Sequence, residues 1–282
     1  MIDIVTVVFR EELPILKLQA ESINLNCRVM CLNKIYVVIN DDDLDASEID
    51  ISWWGRFSDR VVVIHRRAWN IDYADNGWLT QQLLKILASA QSNSTWTMVL
   101  DAKTIVVQPV ELDRIFNDDG QLTWGYFPVF PVFEPARQRV SQLFGIEQTD
   151  VAGPAGIPFF FHTKTVCDMI QEVETRTQQS FAEWFQQQGM VTEFILYSGY
   201  VQYRDGSLDK MYTRNVANNY SPCNVCHSEV VSFDRKFLEM QQPNTLTVSV
   251  HRHAWTQLSE LQKDAYRKLL WISGITGAGD LQ

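Results

Sequence analysis

Residues 95–107 read TWTMVLDAKTIVV, an apolar run that ends in Asp101 and continues through Ala102 and Lys103. A short run that is apolar at successive positions suits a strand buried on both faces, as in parallel sheets covered by helices. Just upstream, DNGWLTQQLLKILASAQS (75–92) sets Leu79, Leu83, Leu84, Leu87 and Ala90 at helical spacing, with Asp75 or Asn76 placed to cap its start. Nearer the N-terminus, DIVTVVF (3–9), KIYVVIND (34–41) and RVVVIH (60–65) are further runs of strand length. Between the first two, EELPILKLQAESI brings Leu13, Leu16, Leu18 and Ile23 roughly onto one helical face. Strands and helices therefore alternate, which predicts an α/β fold with an open sheet flanked by helices. Ligands of such sheets bind at the carboxyl ends of the strands, where Asp101 falls.

With 282 residues, 46% of them apolar, the chain can bury one substantial core and is expected to form a single domain. The formal net charge of −10, with no basic patch, argues against a nucleic-acid partner. No segment is apolar for long enough to span a membrane and the first residues lack a secretion signal, so a cytoplasmic location is expected. The acidic run DDDLDASEID (41–50) lacks the spacing and turn glycine of a calcium loop and reads as a solvated loop. Five cysteines are too few for a disulfide framework. CNVCH (223–227) has the spacing of covalent haem attachment, which is not expected without export. Cys223, Cys226 and His227 read either as three zinc ligands or as an incidental polar loop.

The second half is less regular. WGYFPVFPVFEPARQ (124–138) mixes aromatics with prolines and suits a substrate-lining loop, in which Trp124, Tyr126, Phe127 and Phe130 are candidates for stacking on sugar rings or for core packing. Residues 153–173 read as a glycine and proline loop, an aromatic strand and a helix, and residues 179–204 as two helical stretches broken at Gly189. LTVSVHRHAW (246–255) alternates strictly, which predicts a strand with His251 and His253 on one face.

Taken in order, DIVTVVF, GWLTQQLLKILA, MVLDAKTIVV, GPAGIPFFF, TEFILYSGYV and VHRHAW resemble a family of bacterial and phage glycosyltransferases of GT-A type, classed mostly as a domain of unknown function. The resemblance runs from about residue 3 to about residue 272. It implies a GT-A-like, Rossmann-type open mixed sheet in a single domain 1–282, with a nucleotide-binding half (about 1–110) and an acceptor-side half (about 111–282). It also implies a nucleotide-diphosphate-sugar donor and a saccharide or other hydroxyl acceptor. By position, Asp101 and Lys103 fall on the acidic motif that holds a Mn²⁺ or Mg²⁺ ion, Gly153 and Gly156 on the segment shaping the sugar pocket, Glu193 on the candidate base, and His251 or His253 on a late metal ligand. Thr6 at the first strand and Gln82 and Lys85 on the helix before Asp101 are further donor-binding candidates.

Lys103 departs from the family pattern, which has a second acid there. The loss of a hard oxygen ligand weakens the case for a divalent cation. An ammonium at that position instead offsets the charge of a leaving diphosphate directly. A base at Glu193 would imply single displacement with inversion. VLDAKT also brushes against the D-x-D-x-T pattern of phosphatases but lacks the second Asp, and VVFREELP lacks the glycine-rich loop of a nucleotidyltransferase. The rival of another class is a non-catalytic nucleotide- or sugar-binding protein that keeps the fold.

Overall fold

The computed structural model describes residues 1–71, 77–123, 127–147, 151–152, 157–213 and 220–281. Asp75, Asn76, Trp124, Tyr126, Gly153 and Gly156 lie outside them, and with them the expected helix cap, two of the candidate stacking rings and the glycine segment. Four strands, β1 (Ile2–Val8), β2 (Leu32–Ile39), β3 (Val61–His65) and β4 (Trp96–Asp101), pair in parallel in the order β3-β2-β1-β4. The helices α1 (Leu13–Asn26) and α2 (Gly77–Ala90) stand where the apolar periodicity placed them.

Past β4 the chain forms β5 (Ile105–Val106), α3 (Leu112–Ile115), β6 (Phe127–Pro128), α4 (Glu134–Phe144) and β7 (Val151–Ala152). It continues through β8 (Phe159–His162), α5 (Thr163–Thr177), α6 (Phe181–Gln187) and α7 (Glu193–Asp205). The last elements are β9 (Ser221–Val225), α8 (Phe233–Met240), β10 (Thr245–Val250), α9 (Arg252–Trp255) and α10 (Glu260–Ile272). Strand β8 closes the main sheet antiparallel to β4, so the architecture is the open mixed α/β sheet expected. A second sheet has the order β5-β10-β9, with β10 antiparallel to β5 and parallel to β9.

Burial explains the order of the main sheet. Every residue of β1 is buried, as its continuous apolar run requires for a strand with neighbours on both sides and helices on both faces. The edge strand β3 is only half-buried. The turn after Asp101 leads straight from β4 into β5, so the two sheets meet at the carboxyl edge of the first. Strands β9 and β10, parallel to each other, end at Val225 and Val250. Among the described residues, no helix is long and apolar enough to cross a membrane.

Helices α4 and α7 cross at Gly199, whose missing side chain makes room for Val140. A methyl group there would overlap Val140 Cγ1, so the close approach of the two helices depends on glycine. Gly199→Ala is expected to destabilise the protein by about 1–3 kcal/mol through overpacking, lowering the urea midpoint at unchanged m-value. A midpoint equal to that of the wild type would show that the helices separate freely.

Candidate active site

Asp101 is the last residue of β4 and paired in register with Val7 of β1, which puts its carboxylate at the carboxyl edge of the sheet. The turn that follows is braced from below. Thr104 N donates to Asp101 O at 2.8 Å, and the buried Gln19 of α1 donates its amide to Asp101 O at 2.7 Å and to Thr104 O at 2.9 Å. Asp101 and Lys103 are thereby presented from a rigid base.

Both carboxylate oxygens of Asp101 are engaged by ammonium groups, Oδ1 by Lys85 Nζ at 2.8 Å and Oδ2 by Lys103 Nζ at 2.7 Å. Lys85 reaches Asp101 from α2, where Gln82, Lys85 and Ser89 form a buried polar stripe. The same Nζ donates to Glu193 Oε1 at 3.2 Å and lies 5.6 Å from the ring centre of Phe194. With its amide nitrogen turned inward, Gln82 donates to both Glu193 oxygens, to Oε1 at 2.8 Å. Glu193 opens α7, with Thr192 as its cap: Thr192 Oγ1 accepts from Ile195 N at 3.2 Å. A carboxylate in the first turn of a helix is favoured by the macrodipole.

Exposure rises along this row. Glu193 is 0% and Lys85 2% exposed, while the side chains of Asp101 and Lys103 are 18% and 22% exposed. Burial alone would raise the pKa of Asp101, but Lys103 and Lys85 outweigh it and hold the carboxyl well below the usual range. Burial would likewise depress Lys85, but Asp101 and Glu193 raise it above the ordinary lysine value. For Glu193 burial prevails and raises its pKa despite Lys85.

Around Lys103 stand groups from three other strand ends. Glu12, half-buried after β1, is raised by burial and lowered in part by Lys103. His251, after β10, is lowered by burial and then by Lys103. Cys226, after β9 and exposed overall, has a thiol raised by partial burial and by Glu229, with Lys103 opposing. Glu12 was not singled out from the sequence and Cys226 only as a possible zinc ligand, because nothing in a linear pattern brings the ends of β1 and β9 together.

The structure places several of the expected residues differently. Glu193, the candidate base, is enclosed by Lys85 and Gln82 with no exposed surface, whereas a base must reach the acceptor's proton. Thr6 is inside β1, two residues short of its end, and wholly buried, with its hydroxyl unpaired among the described residues. His251 and His253 do not share a strand. Strand β10 stops at Val250, and His251 caps α9, its Nδ1 accepting from His253 N at 3.2 Å. Lys85 and Gln82 do lie beside Asp101 and Glu193, but in the interior.

A divalent cation fits this donor set poorly. Hard cations need several free oxygens, yet each oxygen of Asp101 already accepts from an ammonium, and the described residues contain no group of three or more His, Cys, Asp or Glu able to hold a metal. Cys223, Cys226 and His227 likewise form no such group. Cys223 is buried in β9, its thiol 3.4 Å from Lys236 O and pushed up to about 11 by burial, while Cys226 and His227 are exposed.

Comparison with known proteins places the chain. One family model matches residues 8–249. The chain belongs to DUF6492, a family of unknown function. No curated protein matches. Among solved structures, this DUF6492 chain is similar to the galactosyltransferase LgtC in complex with donor and acceptor sugar analogs, at 12% identity and a TM-score of 0.49, over 100% of this chain and 96% of that one. It is similar to the bifunctional glycosyltransferase WbbM at 12% identity and a TM-score of 0.48, covering 95% of this chain and 49% of that one. The glycosyltransferase GlyE of Streptococcus pneumoniae TIGR4 matches at 12% identity and a TM-score of 0.45, covering 96% of this chain and 63% of that one.

Proposed function

We propose that this DUF6492 protein is a glycosyltransferase that moves a sugar from a nucleotide-diphosphate donor to a hydroxyl acceptor, with Lys103 as the cation that meets the leaving diphosphate. The observation that carries this reading is the Lys103 ammonium, held 2.7 Å from Asp101 at the carboxyl edge of a parallel sheet and partly exposed there. Open α/β sheets bind ligands at that edge. In the transfer, the acceptor oxygen bonds to the sugar's anomeric carbon, and the acceptor's hydroxyl proton passes to water or to the departing phosphate. The bond from the anomeric carbon to the diphosphate oxygen breaks, and the electron pair stays with the diphosphate. Charge therefore develops on that oxygen. A fixed ammonium stabilises it most where it is already oriented and needs no reorganisation. Asp101 supplies that orientation, and Gln19 holds the Asp101 turn.

The test is turnover across a panel of nucleotide sugars with a metal chelator present. The wild type should keep its activity, and Lys103→Met should lose roughly 10²–10³-fold, the scale seen when one preorganised donor is removed. Complete loss in chelator would show that a metal is needed and would overturn the role given to Lys103. The enclosure of Glu193 favours a second reading, a non-catalytic protein that binds the same donor. Calorimetric binding of donor with neither hydrolysis nor transfer across the panel would select it.

A further inference from the structure

We propose that Glu193 is a positioning residue, the buried anchor of a row of alternating charges, Glu193, Lys85, Asp101 and Lys103, whose exposed end is the ammonium offered to the diphosphate. The proposal rests on the diphosphate reading above. The row is continuous: Glu193 Oε1 to Lys85 Nζ is 3.2 Å, Lys85 Nζ to Asp101 Oδ1 is 2.8 Å, and Asp101 Oδ2 to Lys103 Nζ is 2.7 Å. It is neutral overall, and each member but the last stands between groups that fix it. Gln82 closes the inner end by donating to Glu193.

The physical consequence follows from Lys85. Its ammonium is shared between one carboxylate on each side. When Glu193 becomes neutral, Lys85 is attracted to Asp101 alone and draws that carboxylate inward, loosening its hold on Lys103. Lys103 then regains rotamer freedom that it must lose again when it binds a ligand. Immobilising such a side chain weakens binding by roughly 2- to 12-fold. Long-range electrostatics predicts the opposite sign, because neutralising a carboxylate makes the edge more positive and should tighten a diphosphate. The sign of the change therefore separates positioning from simple charge.

The experiment is a double-mutant cycle on the full chain with Glu193→Gln, Lys103→Met and their combination, measuring the affinity for UDP and for inorganic pyrophosphate by calorimetry. Glu193→Gln should weaken both ligands by roughly 2- to 12-fold alone and should not weaken them in the Lys103→Met background. The turnover number should fall no more than the affinity. Equal weakening in both backgrounds, or tightening in the wild-type background, overturns the proposal. A loss of roughly 10²–10⁴ in kcat at unchanged affinity also overturns it and returns Glu193 to the role of a base.

If the wild type binds neither ligand, the diphosphate reading fails by itself. The row is then judged by urea unfolding of the same four proteins: coupling between Glu193 and Lys103, which do not touch, supports it, and additivity overturns it. Should Glu193→Gln fail to fold, Gln82→Leu keeps all four charges and removes only the inner donor. It should weaken the ligands in the same background-dependent way, and unchanged affinity would overturn the proposal.

Discussion

Lys85→Met should be among the most damaging single changes in the molecule, costing about 3–5 kcal/mol of stability, the scale for removing one partner from a buried pair. Methionine fills much the same space and keeps the helix, so the loss isolates the charge. What remains is two carboxylates, Glu193 with no exposure and Asp101 partly exposed, that have lost their shared cation. Asp101 keeps a cation in Lys103, but Glu193 keeps none, only neutral donors such as the amide of Gln82 and its own backbone N–H. Of the two, Glu193 is therefore the one driven to take up a proton.

Equilibrium urea unfolding reads the loss directly, and a cost under about 1 kcal/mol, the range of exposed ion pairs, would show that water reaches the site. The effect also has a pH signature. The Lys85 pKa is higher folded than unfolded, so its contribution is fully present below the unfolded value of about 10.4 and is lost as pH rises through the folded value. Lys85→Met should therefore show a smaller alkaline decline in stability above about pH 10 than the wild type, the remainder coming from buried groups such as Tyr197 and Tyr266 that burial also raises.

The part of the fold that was legible in the sequence is the part set by local pattern. Strands buried on both faces are continuously apolar, so β1 to β4 and the helices between them stood out. The aromatic run of β8 and the break between α6 and α7 at Gly189, where φ is +72°, were legible for the same reason. Strand β5 was not, because two residues carry no periodicity and their partner, β10, comes from far along the chain.

The strict alternation of residues 246–255 ran past the real strand end, because nothing in it signals that His251 leaves the sheet to cap a helix. At the site, Asp101, Lys103, Lys85, Gln82 and Glu193 were all chosen, but their depth was not. A threonine followed by a glutamate reads as an ordinary helix start, and only the approach of α7 to α2 encloses it. One signal was available: Gln82, Lys85 and Ser89 recur at helical spacing within an apolar helix, the mark of a polar stripe facing something inside.

Lys103→Asp should convert the site from one that carries its own cation into one that needs a cation from solution. The wild-type row is neutral, and the substitution exchanges a positive charge for a negative one, leaving an excess of two negative charges that a single divalent ion would cancel. It also frees Asp101 Oδ2, which now accepts from Lys103, and adds carboxylate oxygens beside it, the hard donors that Mg²⁺ and Mn²⁺ prefer. Without added metal, the variant should be less stable than the wild type and should bind diphosphate weakly, since like charges crowd the turn held by Gln19. Adding Mn²⁺ should raise its Tm while leaving that of the wild type unchanged. At a hundred times the dissociation constant, the gain would be about 2.7 kcal/mol. Metal titrations followed by thermal unfolding and by pyrophosphate calorimetry make the comparison without relying on turnover. Equal responses of the two proteins to Mn²⁺ would mean that the cation binds away from Asp101, and the exchange of ammonium for metal at this edge would have no support.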